Sequence, residues 1–263
     1  MRTFSAEYLR RTRDGMWEDS IEALSPLDLP TRERVLDVGC GSGELSRVLK
    51  RETAGTVIGC DADLKLLTHA AEAVPVVGGD ATRLPFLDDT FDLVVCQALL
   101  INLPDPEGAV REFARVSSDL VAAIEPDNGN VTIDSSVDVE ATLEGKARRA
   151  YLDGIATDPT LGREARDAFD RAGLEELQTR RYNHDRVTVP PYDERALEVA
   201  RRKATGAGLD DDSETILEDL SEEEYDRLRS AWRSMGRSVV EQMQAGEYHR
   251  TETVPFYVTV GRV

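Results

Sequence analysis

The sequence predicts an α/β protein, and three observations carry that prediction. Residues 35–43 read Val-Leu-Asp-Val-Gly-Cys-Gly-Ser-Gly, an apolar strand running into glycines at every second position. Further short apolar runs at residues 56–60, 76–78, 91–96 and 121–125 are separated by longer stretches with helical character. The chain has 263 residues and no second glycine-rich turn, so it reads as one domain with insertions.

The elements follow in order. Gly39, Gly41 and Gly43 let the chain turn sharply after the first strand, because glycine accepts positive φ, and they leave bare main chain for a ligand to approach. A dinucleotide-binding loop would place its third glycine three positions after Gly41, where this chain has Glu44, which weakens a nicotinamide reading. The second strand, residues 56–60, ends at Asp61. Residues 76–86 read Val-Val-Gly-Gly-Asp-Ala-Thr-Arg-Leu-Pro-Phe, with Asp80 and Ala81 just past a short strand. Residues 91–97 and 121–128 supply a fourth strand ending at Gln97 and a fifth ending at Glu125, Pro126, Asp127 and Asn128.

An acidic residue followed by alternating glycines, then Asp61, then Asp80-Ala81, resembles the class I S-adenosylmethionine (SAM) dependent methyltransferases, over residues 33–130 most clearly. The resemblance implies a Rossmann-like, seven-stranded, mostly parallel sheet with an antiparallel last strand, helices on both faces and helical cap insertions. It implies a SAM-dependent methyltransferase with S-adenosyl-L-homocysteine as product. The cofactor residues it implies are Asp37, Gly39, Cys40, Gly41 and Gly43 in the turn, Asp61 and Ala62 at the ribose, Asp80 and Ala81 at the adenine, and Gln97. Arg13 is a candidate for the carboxylate of the methionine part, since a guanidinium suits that fork-to-fork contact. Three other readings stay open: a non-catalytic SAM-binding protein, an NAD-dependent oxidoreductase in which Asp61 would serve a ribose equally well, and a pocket that holds SAM for transfer of a different alkyl group.

The remaining segments divide into residues 1–30 as N-terminal lid helices and residues 31–263 as the SAM-binding domain, with helical inserts at about 131–160 and 192–248. Tyr8, Met16, Trp17, Ile21 and Leu24 mark the lid; Leu143, Ala147, Ala150, Tyr151 and Ile155 mark one face of the first insert. Residues 162–173 read as a helix closed by Gly173, and residues 177–189 alternate as a strand. Ser221 and Glu224 form a capping box for a long helix striped by Tyr225, Leu228, Trp232, Met235, Val239 and Met243. Val254, Phe256, Val258 and Val260 alternate along the last strand. Ligands bind beyond the carboxyl ends of parallel strands in open α/β sheets, so the inserts and the lid are expected to build an acceptor pocket there. Its apolar candidates are Trp17, Tyr151, Tyr192, Trp232 and Met235, and the acceptor expected is a small molecule. A hydroxyl acceptor would benefit from a base, for which His249 and His184 are the candidates, backed by Glu125, Asp127 and Tyr182. His69 is expected on the wrong side of the sheet.

Charge narrows the partners. Fifty-one acidic against 32 basic residues give a net charge of −19, with lysine only at Lys50, Lys65, Lys146 and Lys203. That balance speaks against nucleic acid, whose phosphates need basic patches, and suggests a salt-adapted surface. No run approaches a membrane span and the N-terminus has no signal-peptide core, so a cytoplasmic location without membrane contact is expected. Cys40, Cys60 and Cys96 are too few for a disulfide framework and lack zinc spacing, so no metal is expected. They close strands one, two and four, which predicts that they gather along one edge of the sheet. The oligomeric state is left open.

Overall fold

The computed structural model describes residues 16–263. They fall into two compact units, one comprising the chain up to Asp127 with Thr160–His184 and Pro255–Val263, the other Asn128–Pro159 with Asp185–Val254. The strands are β1 (Arg34–Val38), β2 (Thr56–Asp61), β3 (Val76–Gly78), β4 (Phe91–Gln97), β5 (Ser117–Pro126), β6 (Thr132–Ser135), β7 (Glu175–Thr188) and β8 (Arg250–Arg262). Their order is β3-β2-β1-β4-β5-β8-β6, with β7 also paired to β8. Strands β1 to β5 run parallel, and β8 is antiparallel to β5 and to β6. The mostly parallel sheet with an antiparallel last strand is therefore present, with one strand more than the seven expected. The addition is β6, four half-exposed residues reading Thr-Ile-Asp-Ser that carry little apolar signal.

In the first unit the strand order reverses between β1 and β4, the kind of switch point beyond whose carboxyl ends open α/β sheets bind ligands. Both faces of the central strands are covered, which is why they read as continuous apolar runs. Leu36, Val38, Val94, Val121 and Ala123 pack with Ala109, Val110 and Phe113 of the helix Pro106–Val116, and with Ala168 and Phe169 of the helix Ala165–Arg171. Phe113 and Phe169 are fully buried, each stabilising by about 1.5–3 kcal/mol. Gly173, at φ +85°, ends the second of these helices as expected. Before β1 the chain forms the helix Met16–Asp19 and the 3-10 turns Ile21–Leu27 and Leu29–Thr31. Tyr8 lies outside the described residues.

The second unit is mainly helical. Its long helix, Glu222–Ala245, starts at the Ser221/Glu224 capping box and ends at Gly246. Tyr225, Leu228, Trp232, Met235, Val239 and Met243 form one buried cluster with Ala147 and Ala150 of the helix Glu140–Asp153. Gly236 lets the helix Glu194–Thr205 approach closely, since a Cβ there would sit 2.3 Å from the Ala204 nitrogen. Beneath this cluster Glu140 and Glu144 are buried and meet the Lys203 ammonium, Glu144 accepts from Arg250 Nη2 at 2.8 Å, and Tyr248 donates to Glu140 at 3.0 Å. Here β6 pairs with the Arg250–Thr253 part of β8.

Candidate functional site

The glycine turn is built by left-handed backbone. Gly39, Gly41 and Gly43 have φ of +68°, +54° and +86°, a region that side chains enter only at a cost. The Cys60 carbonyl accepts from the Gly39 and Cys40 amides at 2.7 and 3.1 Å, pinning the turn to the end of β2, and the helix Glu44–Glu52 starts directly after Gly43. Space is also limiting: a Cβ on Gly39 would lie 2.8 Å from the Leu99 side chain, and one on Gly43 would lie 3.0 Å from Ala70.

Three carboxylates stand at the ends of adjacent strands. Asp61 accepts from the Gly41 amide through Oδ2 and from the Asp63 amide through Oδ1, both at 2.8 Å. A carboxylate has about four acceptor positions, so capacity remains for a cis-diol. Asp37 is buried and accepts from Ser46 Oγ at 2.5 Å. Asp80 is exposed and takes both the amide and hydroxyl of Thr82 on Oδ1 at 2.8 Å, bonds that hold its carboxyl below the usual range. Ala81 is buried beside it, and Ala62 is exposed between Asp61 and Asp63. The cysteines gather as expected: Val38 pairs with both Cys60 and Cys96, Cys40 follows two residues on, and all three are buried.

Past β4 the chain bends at Ala98, φ +49°, into the 3-10 turn Leu100–Asn102. Gln97 is buried and donates through Nε2 to Met16 Sδ at 3.2 Å. Asn102 Nδ2 donates to the Ala98 carbonyl at 2.9 Å, while its Oδ1 has no partner among the described residues. The group that organises this bend is Glu125 on β5. Its fully buried carboxylate accepts from the Leu99 and Leu100 amides at 3.0 and 2.9 Å and from Ile101 at 3.4 Å, with the Cys96 thiol at 3.7 Å. Burial pushes its pKa up to about 7 against the pull of those amides.

The sequence offers Glu125 behind the histidines as a base, and the structure corrects this: a carboxylate with no exposure, turned onto main chain, cannot reach an acceptor. The signal available was an acid closing a fully apolar strand. His184 lies on β7 in the first unit, buried, its ring 6.5 Å from that of Phe256. It lines a small cavity with Met16, Trp17, Ile124, Phe256 and Val258, and Tyr182 lies in the same wall. The indole Nε1 of Trp17 is buried there without a partner among the described residues. His249 belongs to the second unit and is exposed; its carbonyl accepts from the Ser136 amide at 3.0 Å and its amide donates to Ser136 Oγ at 3.1 Å. Tyr151, Tyr192, Trp232 and Met235 belong to that unit's apolar cluster. Asp127 is buried, and His69 is exposed on the helix Leu64–Ala70. Arg13 and Arg11 lie outside the described residues.

Comparison with known proteins agrees with this geometry. Residues 36–119 match the family model described as "Methyltransferase domain". A demethylmenaquinone methyltransferase of Mycolicibacterium paratuberculosis is 37% identical over 106 residues, 40% of this chain and 45% of that protein. Methyltransferase GfsG of Streptomyces halstedii is 36% identical over 99 residues, 34% of this chain and 36% of that protein. The chain thus spans less than half the length of these relatives. Among solved structures, BH2331 of Bacillus halodurans superposes with a TM-score of 0.54 at 15% identity, covering 93% of this chain and 98% of that one. A SAM-dependent methyltransferase of Thermotoga maritima, TM1293, gives 0.50 at 21% identity, covering 67% and 79%.

The fold is that of the Rossmann-like methyltransferases. The segment that matches the methyltransferase-domain model contains the glycine turn, Asp61 and Asp80, and the Thermotoga maritima neighbour is named a SAM-dependent methyltransferase. The residues present fit that cofactor, because three left-handed glycines carry no side chain over the turn and stand beside Asp61, a carboxylate with acceptor capacity to spare.

Proposed function

We propose that the whole protein is a SAM-dependent methyltransferase acting on a small-molecule acceptor. The observation that carries the reading is the contact of Asp61 with the Gly41 amide, which joins two separated motifs beside the point where the strand order reverses. Asp61 would hold the ribose hydroxyls, Asp80 and the Ala81 amide the adenine, and the glycine turn at residues 39–43 the methionine part. Gln97 ends the strand beside the turn, and Arg13 is the candidate for the carboxylate. Bound there, the cofactor would supply an electrophilic methyl group for transfer to an acceptor lone pair, with S-adenosyl-L-homocysteine as the leaving group.

The chain's own work is orientation, which contributes about 7–11 kcal/mol in such reactions. A small acceptor accords with the demethylmenaquinone named for several relatives and with a net charge of −19 that repels nucleic acid. We carry His184, in the cavity wall beside Trp17, as the first base to test, and His249 as the second. A base is worth about 10²–10⁴-fold, so His184→Asn lowering kcat by that factor with KM for SAM unchanged would support its role. The acidic surface fits a salt-rich cytoplasm. No helix among the described residues is long and apolar enough to cross a membrane.

The deciding experiment is calorimetric titration in KCl buffer with SAM, S-adenosyl-L-homocysteine and NADH, repeated on Asp61→Ala. Binding of the first two, lost in the variant, is expected. Binding of NADH alone would replace the reading with an oxidoreductase, and tight SAM binding without turnover across a panel of small acceptors would leave a non-catalytic SAM-binding protein.

A further inference from the structure

Glu125 and the glycine turn are far apart in sequence, yet one short path joins them. The carboxylate gathers the amides of Leu99, Leu100 and Ile101, donors at the start of a 3-10 turn that have no partner within the turn itself. Those bonds fix the bend at Ala98, whose own amide is held by the Ile124 carbonyl at 2.9 Å. The bend sets the Leu99 side chain against Gly39, where an added Cβ would meet Leu99 Cδ1 at 2.8 Å and Cδ2 at 2.9 Å. Gly39 in turn is the first residue of the turn whose Gly41 amide meets Asp61. Every residue on this path belongs to the first unit.

The geometry points to Glu125 as a positioning residue for the cofactor site: by holding the main chain after β4 it presses Leu99 onto Gly39 and fixes the glycine turn in its binding shape. The role rests on the SAM reading for the identity of the ligand, but the mechanical coupling does not. The carboxylate needs only acceptor oxygens for this task, and an amide keeps one of them. Leucine keeps similar bulk and keeps none.

The test compares Glu125→Leu, Glu125→Gln, Leu99→Ala and the double variant Glu125→Leu/Leu99→Ala, each checked for a cooperative melt. Two quantities are read: affinity for S-adenosyl-L-homocysteine by calorimetry, and hydrogen exchange of the amides of residues 39–43. Glu125→Leu and Leu99→Ala should each weaken binding roughly tenfold or more and speed exchange by a similar factor. The double variant should be no worse than the poorer single, because the two residues act in series. Glu125→Gln should recover most of the loss. A folded Glu125→Leu protein with wild-type affinity and exchange would overturn the assignment, as would losses that multiply in the double variant. If Glu125→Leu does not fold, Leu99→Ala decides: unchanged exchange in the turn refutes the path. Wild-type protein that fails to bind the ligand would sink the SAM reading instead, and the exchange comparison would still judge Glu125.

Discussion

Both units bury carboxylates, and they satisfy them by opposite means. In the first, Glu125 is held by backbone amides and a thiol, with burial raising its pKa to about 7. In the second, burial also works against the charge on Glu144, but Lys203 and Arg250 overcome it and hold its carboxyl below the usual range. Amides orient a carboxylate without neutralising it, so Glu125 shapes a loop. Cations neutralise it, so Glu140 and Glu144 fasten helices and a strand distant in sequence. The lesson is that the chemistry of the partner, rather than the depth of burial, sets what a buried acid is for.

The most severe way to probe this contrast is Lys203→Met. It leaves Glu140 and Glu144 buried with one cation fewer, and breaking such a pair costs about 3–5 kcal/mol. Urea unfolding should register that loss, and a change near zero would mean that the acids simply take up protons.

The two acids should also respond oppositely to pH. Glu125 has a raised folded pKa, about 7 against an ordinary 4.5, so its contribution is fully present below 4.5 and is lost as pH rises through 7. That loss amounts to at most about 3 kcal/mol, and Glu125→Gln should remove this slope from the stability profile. Glu144 has a lowered folded pKa, so its contribution is present above the ordinary carboxylate range and fades as the solution is acidified. Removal of that acid-side decline in Glu144→Gln checks the sign. Identical profiles for the two variants would erase the distinction.

Gly39→Ala should cost about 1–2 kcal/mol from its left-handed φ alone, and more where its Cβ meets Leu99. Unlike Lys203→Met, it should also weaken S-adenosyl-L-homocysteine binding. The smallest effect expected is that of salt. Raising KCl to molar levels shortens the Debye length to about 3 Å and relieves repulsion among exposed acids, so the Tm should climb by a few degrees. The penalty of Lys203→Met should barely move, because its partners are buried. A Tm that fell with KCl would remove the idea of a salt-adapted surface.

How much of this was legible in the sequence follows the same divide. The first unit's strands and its turn were readable because glycine spacing, apolar runs and strand-end acids are local signals. Glu125 was visible as an acid, but its partners at residues 99–101 become neighbours only through parallel pairing of β4 with β5. In the second unit the capping box and the stripe from Tyr225 to Met243 were equally local and readable. The buried face of the helix Glu140–Asp153 was not, since Glu140 and Glu144 look like solvent-facing acids until Lys203 and Arg250 arrive from far along the chain. Strand β6 escaped notice because its order comes from pairing with β8. His184 and His249 stand out in the sequence by residue type alone, which says nothing about the unit to which each belongs.

The three thiols at the ends of the strands have a practical consequence. Burial, reinforced by Asp37 and Asp61, keeps Cys40 protonated; burial pushes Cys60 up to about 12; burial and then Glu125 hold the Cys96 thiol well above its ordinary range. Since only a thiolate in reach of solvent reacts, each stays silent until its stretch of strand opens. The protein therefore contains three built-in stopwatches along one edge of the sheet. The labelling time of each, with and without ligand, would record how often that edge comes apart, one strand at a time, without any probe being engineered in.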